Sequence, residues 1–123
     1  MKWTFTDDTP IYTQLVEQLK AGIVTGQYFP GERLPSVREL AGEAGVNPNT
    51  MQRALARLEE EGLVISRRTS GRFVTGDEFA IAATRRSLAL RAIRDFRQSM
   101  ARLGFRPEEI SALLEQEFNQ KGE

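Results

Sequence analysis

The chain has 123 residues, 40% of them hydrophobic, and its 17 basic and 17 acidic side chains give a net charge of zero. This length predicts one domain of ordinary size or a small domain with an appendage. Cysteine and histidine are both absent, which excludes disulfides, thiolate chemistry and the commonest metal ligand and general base. We therefore expect no enzyme active site, no metal site and no cofactor. Because no apolar run is long enough for a membrane span or a signal peptide, we also expect a cytoplasmic location without membrane partners.

Two helices are predicted in the first part of the chain. After Pro10, apolar residues recur at steps of four, which predicts a helix with one buried face that continues to Gly26. A second helix is predicted to start at Ser36, because Ser36 and Glu39 have the spacing of a capping box, in which each side chain satisfies a backbone N–H of the other. This helix is expected to end near Gly45.

The stretch GVNPNTMQRAL, residues 45–55, predicts a third helix that follows the second after a sharp turn. Asn47 suits the N-cap, and Pro48 suits the first helical position, where its missing N–H costs nothing. Two helices joined in this way form a helix-turn-helix, whose second helix enters the DNA major groove and reads base edges with its first residues. The predicted base-reading residues are Asn47, Asn49, Thr50, Gln52 and Arg53.

Residues 63–75 predict a β-hairpin after the third helix. The runs LVISR and RFVT are short and rich in β-branched or apolar residues, and a turn that contains a glycine separates them. A hairpin in this position is the wing of a winged helix, and it is expected to follow the DNA backbone or enter the minor groove. The N-terminus of the second helix is a further phosphate site, at Ser36 and Arg38. The predicted wing contacts are Arg67, Arg68, Thr69, Gly71 and Arg72.

The distribution of charge supports a DNA partner. Residues 45–58 and 62–76 together contain five arginines and no acidic residue, and these five could form one basic surface. Simpler roles compete with DNA contact. The N-cap asparagine could serve mainly as a cap, and the wing arginines could form a solvated hairpin tip. Arg57 is expected to pair with Glu60 or Glu61 at helical spacing rather than with DNA.

Beyond Gly76 the pattern predicts a hairpin of two helices. Residues 79–103 contain no glycine or proline and place apolar residues at heptad-compatible spacings, which predicts one long helix that ends at Gly104. Pro107 opens a second helix with its own apolar stripe. We expect apolar residues of both helices to form a dimer interface. These residues are Ala89, Ile93, Phe96, Met100, Leu103, Leu113, Leu114 and Phe118.

The fold class expected from these elements is mainly α with a small β wing. Residues 1–76 are predicted to form a winged helix-turn-helix DNA-binding domain, and residues 77–123 a C-terminal two-helix dimerisation element. The two C-terminal helices carry opposite charges, with six arginines against Asp95 in the first and five glutamates against Arg106 and Lys121 in the second. These charges are expected to pair across the hairpin or across a dimer, with a second DNA or anionic-ligand site as the alternative.

The sequence resembles the N-terminal winged-helix domain of the GntR family of bacterial transcription regulators over about residues 10–75. The segments PGERLPSVRELA, GVNPNTMQRAL and LEEEGLV, and a wing that ends GRFV, carry the resemblance. The NPNT helix start and the short two-helix tail are similar to the YtrA subfamily, whose members often sit with transporter genes. The resemblance implies a homodimer that represses transcription from a palindromic operator.

The resemblance also implies which residues contact DNA, although the chain departs from the family pattern. Many family members have arginine where this chain has Pro48 and Gln52, so the bases read do not transfer. The glycine-threonine that usually precedes the wing's final FV is Gly71-Arg72 here, which is expected to strengthen a phosphate contact. The family's DNA-contacting positions fall on Ser36, Arg38, Asn47, Asn49, Thr50, Gln52 and Gly71.

Two questions stay open at the level of sequence. The 47 residues that follow Gly76 are too few for the effector-binding domains of the longer subfamilies, and the sequence does not tell whether a small-molecule effector exists. The alternative function is a winged-helix module that binds another protein without specific DNA binding, because a fold alone does not fix a function.

Overall fold

The computed structural model describes residues 1–120, which form five helices and one two-stranded antiparallel sheet. This confirms the expected fold class, a winged helix-turn-helix followed by C-terminal helices. In chain order the elements are α1 (Ile11–Val24), α2 (Val37–Ala44), α3 (Pro48–Glu60), β1 (Val64–Arg67), β2 (Gly71–Val74), α4 (Glu78–Arg102) and α5 (Pro107–Gln120). No helix within this described range is both long enough and apolar enough to cross a membrane.

The described contacts divide the chain into two compact units, Met1–Arg85 and a second that begins at Arg86. The boundary lies within α4, so the first residues of that helix belong to the first unit. The division predicted after residue 76 is a division of function between DNA binding and dimerisation, and it stays a prediction.

The core of the first unit lies where α1 packs against α3. Apolar residues at helical spacing give each of these helices one buried face, and α2 closes the core from the side. Ile81, in the first turn of α4, packs against this core. Burial of each large aliphatic side chain contributes about 1.5 to 3 kcal/mol to folding. The buried helical residues include Leu15, Leu19, Ile23, Leu40, Met51, Ala54, Leu55 and Leu58.

Side-chain caps fix the starts of α2 and α3 as the sequence predicted. The hydroxyl of Ser36 accepts a hydrogen bond from the Glu39 backbone N–H at 3.1 Å, and the Glu39 carboxylate accepts one from the Ser36 N–H at 3.0 Å. Asn47 caps α3, with Pro48 at the first helical position. Gly45 follows α2 with a φ of +70°, a conformation that suits glycine and turns the chain sharply. The predicted helix-turn-helix is confirmed.

The wing is a hairpin that gains a third backbone segment. β1 and β2 pair from Val64 with Val74 to Arg67 with Gly71. Residues 31–34, which lie between α1 and α2, also pair with β2: the Leu34 N–H donates to the Arg72 carbonyl at 2.8 Å, and the Val74 N–H donates to the Glu32 carbonyl at 2.8 Å. No strand was predicted for this segment.

The second unit buries little of its apolar surface. Among its described residues, Ile110 alone is buried. Gly104 ends the long helix with a φ of +90°, and the Glu109 carboxylate caps α5 by accepting from the Arg106 N–H at 2.9 Å. Arg106 also forms ion pairs within its own helix start, with Glu108 and Glu109. Lys121, which contributed to the predicted charge pairing, lies outside the described residues.

Glu61 ties the end of α3 to α1. Its carboxylate lies 2.6 Å from the Lys20 ammonium and 2.7 Å from Nε of Arg57, which confirms the predicted glutamate partner of Arg57. Burial opposes ionisation of Glu61 and is the largest single influence on its pKa. The hydrogen bonds from Lys20 and Arg57 together outweigh burial and hold the pKa below its ordinary value of 4.5.

The lowered pKa of Glu61 predicts a contribution to stability that disappears in acid. Because folding favours the carboxylate, this contribution is present above pH 4.5 and is lost as the pH falls through the lower pKa of the folded state. A Glu61→Gln variant should therefore be less stable than the parent chain at pH 7, and the difference should shrink below pH 4.5. Urea denaturation across this range measures it. Glu60→Gln, the same change one residue away, is the control, and a difference that does not vary with pH would contradict the prediction.

Candidate nucleic-acid interface

The outer face of α3 presents polar side chains that take no part in the buried core. Met51, Leu55 and Leu58 fill the inner face, whereas Asn49, Gln52 and Arg53 are exposed on the opposite side. Gln52 and Arg53 lie three and four residues after Asn49, so the three side chains form one stripe along the first two turns. The structure thus places the predicted base-reading residues at the start of α3, and all of them are exposed except Thr50, which is half-buried.

Asn47 acts as the cap that the sequence predicted. Its side-chain oxygen accepts a hydrogen bond from the Asn49 N–H at 2.7 Å. An amide has both an acceptor and donors, so this bond leaves the donor nitrogen of Asn47 outside the cap. Capping is therefore compatible with a contact to DNA, and that contact stays a prediction.

Arg53 is held against α1 by an aromatic ring. Its guanidinium carbon lies 4.6 Å from the centre of the Tyr12 ring, a cation–π arrangement. This contact restricts the side chain on the outer face of α3 while leaving its planar donors available. Sequence reasoning did not find Tyr12, because the contact joins two helices that are far apart in the chain.

A second polar network joins α3 to the wing. Arg72 forms an ion pair with Glu59, and the Ser66 hydroxyl donates to the same carboxylate at 2.7 Å. Arg72 also donates from Nη1 to the Gln52 side-chain oxygen at 3.3 Å. Burial, the largest influence, raises the pKa of Glu59, but the hydrogen bonds from Arg72 and Ser66 together lower it below its ordinary value. Glu59 therefore stays ionised near neutral pH and holds the arginine in place.

These ion pairs reduce the basic surface that the sequence indicated. Of the five arginines in the two acid-free segments, Arg57 is paired with Glu61 and Arg72 with Glu59. The glutamates lie between the two segments in sequence, and folding brings them back beside both. The arginines of this set without a described ion pair are Arg53, Arg67 and Arg68.

The tip of the wing is exposed and its geometry depends on one glycine. Arg67, Arg68 and Thr69 are exposed, and the Arg67 guanidinium lies 5.2 Å from the centre of the Phe73 ring. Gly71 has a φ of +103°, which residues with a side chain rarely adopt. This conformation explains the glycine that the sequence placed among the predicted DNA contacts.

An open cleft of about 490 Å³ lies between the wing and the start of α2. Arg33 and Arg72 contribute positive charge to its lining, and Glu32 and Glu39 contribute negative charge. Ser36 lines the same cleft, and Arg38 is exposed in the first turn of α2. The first unit therefore brings Ser36, one of the two predicted phosphate-contacting residues of α2, to the same cleft as Gly71 and Arg72 of the wing. Within residues 1–120 no group of acidic side chains is arranged to hold a metal ion.

The predicted dimer residues lie in the second unit and are largely accessible. Leu103 is 72% exposed and Ile93 is 59% exposed, and only Met100 of the set is half-buried. Apolar side chains of this size rarely remain exposed together on a monomer. Ala89, Phe96, Leu113, Leu114 and Phe118 are also exposed.

Comparison with known proteins gives the family. Residues 11–74 match the family described as "Bacterial regulatory proteins, gntR family". The HTH-type regulator YhcF of Bacillus subtilis is 35% identical over 106 residues, which cover 86% of this chain and 88% of YhcF. The repressor YtrA of the same organism is 43% identical over 67 residues, or 54% of this chain and 52% of YtrA. These relatives support the predicted resemblance to the YtrA subfamily.

Solved structures agree with this grouping. A GntR-family regulator from Listeria monocytogenes superposes with a TM-score of 0.83 at 39% identity, covering 91% of this chain and 98% of that one. The DNA-binding domain of AraR in complex with the operator ORX1 superposes with a TM-score of 0.56 at 28% identity, covering 61% of this chain and 96% of that domain. The relatives are transcription regulators, in agreement with the expectation that the chain is not an enzyme. The chain belongs to the GntR family, and it is a transcription regulator with a winged helix-turn-helix DNA-binding domain.

Proposed function

We propose that this regulator is a repressor that binds a palindromic operator as a homodimer, in the cytoplasm, where bacterial DNA lies. The observation that carries the proposal is the stripe of Asn49, Gln52 and Arg53 on the outer face of α3, flanked by the exposed arginines of the wing. Amide and guanidinium groups at the start of a second helix are the groups that read base edges in the major groove. The relative YtrA is named a repressor, which supports repression by this chain, and control of transporter genes is an expectation from the subfamily alone.

Contacts to the DNA backbone are assigned to the wing and to the start of α2. Arg67 and Arg68 extend from the wing, and Ser36 and Arg38 lie at the start of α2, where backbone N–H groups attract anions. Such contacts position the protein on the duplex, whereas the α3 stripe supplies sequence preference. Because phosphate contacts release counterions, operator affinity should fall steeply as salt increases. A protein-interaction module would show weak DNA binding with little salt dependence.

We assign dimerisation to residues 77–123. In the second unit, α4 and α5 leave several large apolar side chains exposed, and a second copy of the chain would cover them. The basic α4 and the acidic α5 are complementary in charge, so α4 of one copy attracts α5 of another. A two-fold symmetric dimer presents two copies of α3, which matches a palindromic operator.

Selection of bound duplexes from a randomised DNA library of about 30 base pairs tests the proposal, with sequencing at two salt concentrations. The expected result is an inverted repeat whose half-sites suit two recognition helices. Enrichment of a single half-site without its repeat would support sequence-specific DNA binding but contradict binding as a dimer. No enrichment at either salt, from protein shown by circular dichroism to be folded, would favour the protein-interaction module.

The role of Arg53 gives a prediction at the level of one base pair. If Arg53 reads guanine, Arg53→Ala should weaken operator binding by about 1 to 3 kcal/mol and relax the preference at one position in each half-site. Titrations against the operator and its single-position variants measure this. Arg57→Ala is the matched control, because Arg57 lies one turn further along α3 and is paired with Glu61. An equal loss of affinity for every sequence would instead make Arg53 a phosphate contact.

A further inference from the structure

The contact between Arg72 and Gln52 restricts how the recognition helix can present its glutamine. Nη1 of Arg72 lies 3.3 Å from the side-chain oxygen of Gln52. A guanidinium has hydrogen-bond donors and no acceptor, so only the oxygen of the Gln52 amide can face it. The amide nitrogen, with its two donor hydrogens, must then face the other way. The chemistry of the pair thus fixes an orientation that two similar amide atoms would otherwise leave open.

Arg72 can impose this orientation because its own position is held from both sides. Glu59 pairs with its Nε, and Ser66 donates to the same carboxylate. The Arg72 side chain is only 20% exposed, and its backbone carbonyl accepts from the Leu34 N–H at 2.8 Å. The guanidinium is therefore a fixed point on the wing, to which the more exposed Gln52 side chain is attached.

The orientation matters because adenine and guanine present different hydrogen-bond donors and acceptors in the major groove. Adenine presents the N7 acceptor beside the N6 donor, so glutamine reads adenine by offering one donor and one acceptor. Guanine presents two acceptors, N7 and O6, which suit a group that offers donors alone. When the Gln52 oxygen is turned toward Arg72, the group directed away from Arg72 is the amide nitrogen with its two donor hydrogens, and these donors suit guanine better than adenine.

We propose that Arg72 is a specificity-determining residue, which positions the Gln52 amide so that Gln52 selects guanine over adenine in the operator. The inference rests on the proposed function, since it requires that α3 reads bases. It assigns to Arg72 a role other than the phosphate contact that its place in the wing indicates. The chain's departure from the family's glycine-threonine at this point then has a consequence for the sequence that is recognised.

The experiment measures a ratio of affinities instead of one affinity. The position read by Gln52 is first identified as the one whose preference is lost in Gln52→Ala. Binding to duplexes with guanine and with adenine at that position is then titrated for the parent chain and for Arg72→Ala. A lost phosphate contact weakens both duplexes equally and leaves the ratio unchanged, whereas a freed amide changes the ratio. Arg67→Ala is the matched control, because it removes another wing arginine, whose guanidinium packs on Phe73 and not on Gln52.

The expected result is a preference for guanine in the parent chain that falls about fivefold or more in Arg72→Ala and stays constant in Arg67→Ala. If Arg72→Ala does not fold, Arg72→Gln replaces it: its amide can still donate to Glu59 but offers Gln52 either a donor or an acceptor. A parent preference for adenine, or an unchanged ratio in the Arg72 variant, would overturn the inference while leaving the regulator intact. No position sensitive to Gln52→Ala would also overturn it. Failure of the parent chain to select any sequence would instead remove the proposed function on which the inference rests.

Discussion

A Phe96→Glu variant is expected to sediment as a monomer at micromolar concentration and to bind the operator about 100-fold or more weakly than the parent chain. In the proposed dimer, Phe96 enters an interface between copies, where an unpaired carboxylate has no water and no partner. Because Phe96 is already 39% exposed within one chain, the substitution should leave the fold of the monomer intact. Operator affinity falls because a dimer engages two half-sites at high effective concentration, and a monomer engages one.

Gln98→Glu is the matched control for this experiment. It adds one negative charge to α4 at an exposed residue outside the predicted apolar set. Sedimentation velocity of both variants, followed by titration of the operator and of an isolated half-site, separates loss of dimer from loss of DNA contact. A Phe96→Glu protein that remains dimeric would remove Phe96 from the interface. A monomer that binds the full operator as tightly as the parent chain would contradict the requirement for two half-sites.

The second large effect is expected in the core of the first unit. Leu55 is 1% exposed, on the face of α3 that packs against α1. Leu55→Ala removes buried methyl groups and leaves a cavity, so it should lower the free energy of unfolding by about 2 to 5 kcal/mol. Urea denaturation followed by circular dichroism measures the loss. Since the outer face of α3 is unchanged, the folded fraction should keep its sequence preference.

Gln52→Ala, on the same helix, is expected to change base preference and to leave stability nearly unchanged. Gln52 is exposed, so its removal should change stability by only about 0.5 kcal/mol while relaxing the preference at one operator position. The two variants together separate the packing face of α3 from its reading face. A Leu55→Ala protein as stable as the parent chain would contradict the predicted role of Leu55 in the core. A Leu55→Ala protein with altered base preference would show that the two faces are not independent.

The elements of the fold could be predicted because local rules specify them. The Ser36 and Glu39 capping box, the Asn47 cap and the proline after it depend on neighbours within four residues, and each lies where the sequence placed it. Helical periodicity likewise identified the buried faces of α1 and α3. The pairing of residues 31–34 with β2 was missed, because a short segment with a proline on each side carries no strand pattern.

The candidate interface was only partly predictable, for a related reason. Residue types and their place in a helix-turn-helix indicated the stripe on α3, but they gave no information about what each side chain touches. Tyr12 beneath Arg53 and Glu59 beside Arg72 are contacts between distant parts of the chain. A count of charges along the sequence treats each arginine as available, whereas the fold pairs two of them with glutamates. The contacts of these residues with DNA stay predictions.

The backbone hydrogen bonds between residues 31–34 and β2 hold the wing and the start of α2 at a fixed separation. Gly71 lies in the wing, and Ser36 lies at the start of α2, only two residues beyond Leu34. Their separation is set by the fold before any duplex arrives, so little ordering entropy remains to be lost on binding. Because this separation is fixed, the affinity of the two elements for DNA should depend on the width of the groove that they span. In the proposed complex, base pairs that no side chain touches would therefore affect affinity through the shape that they give to the duplex.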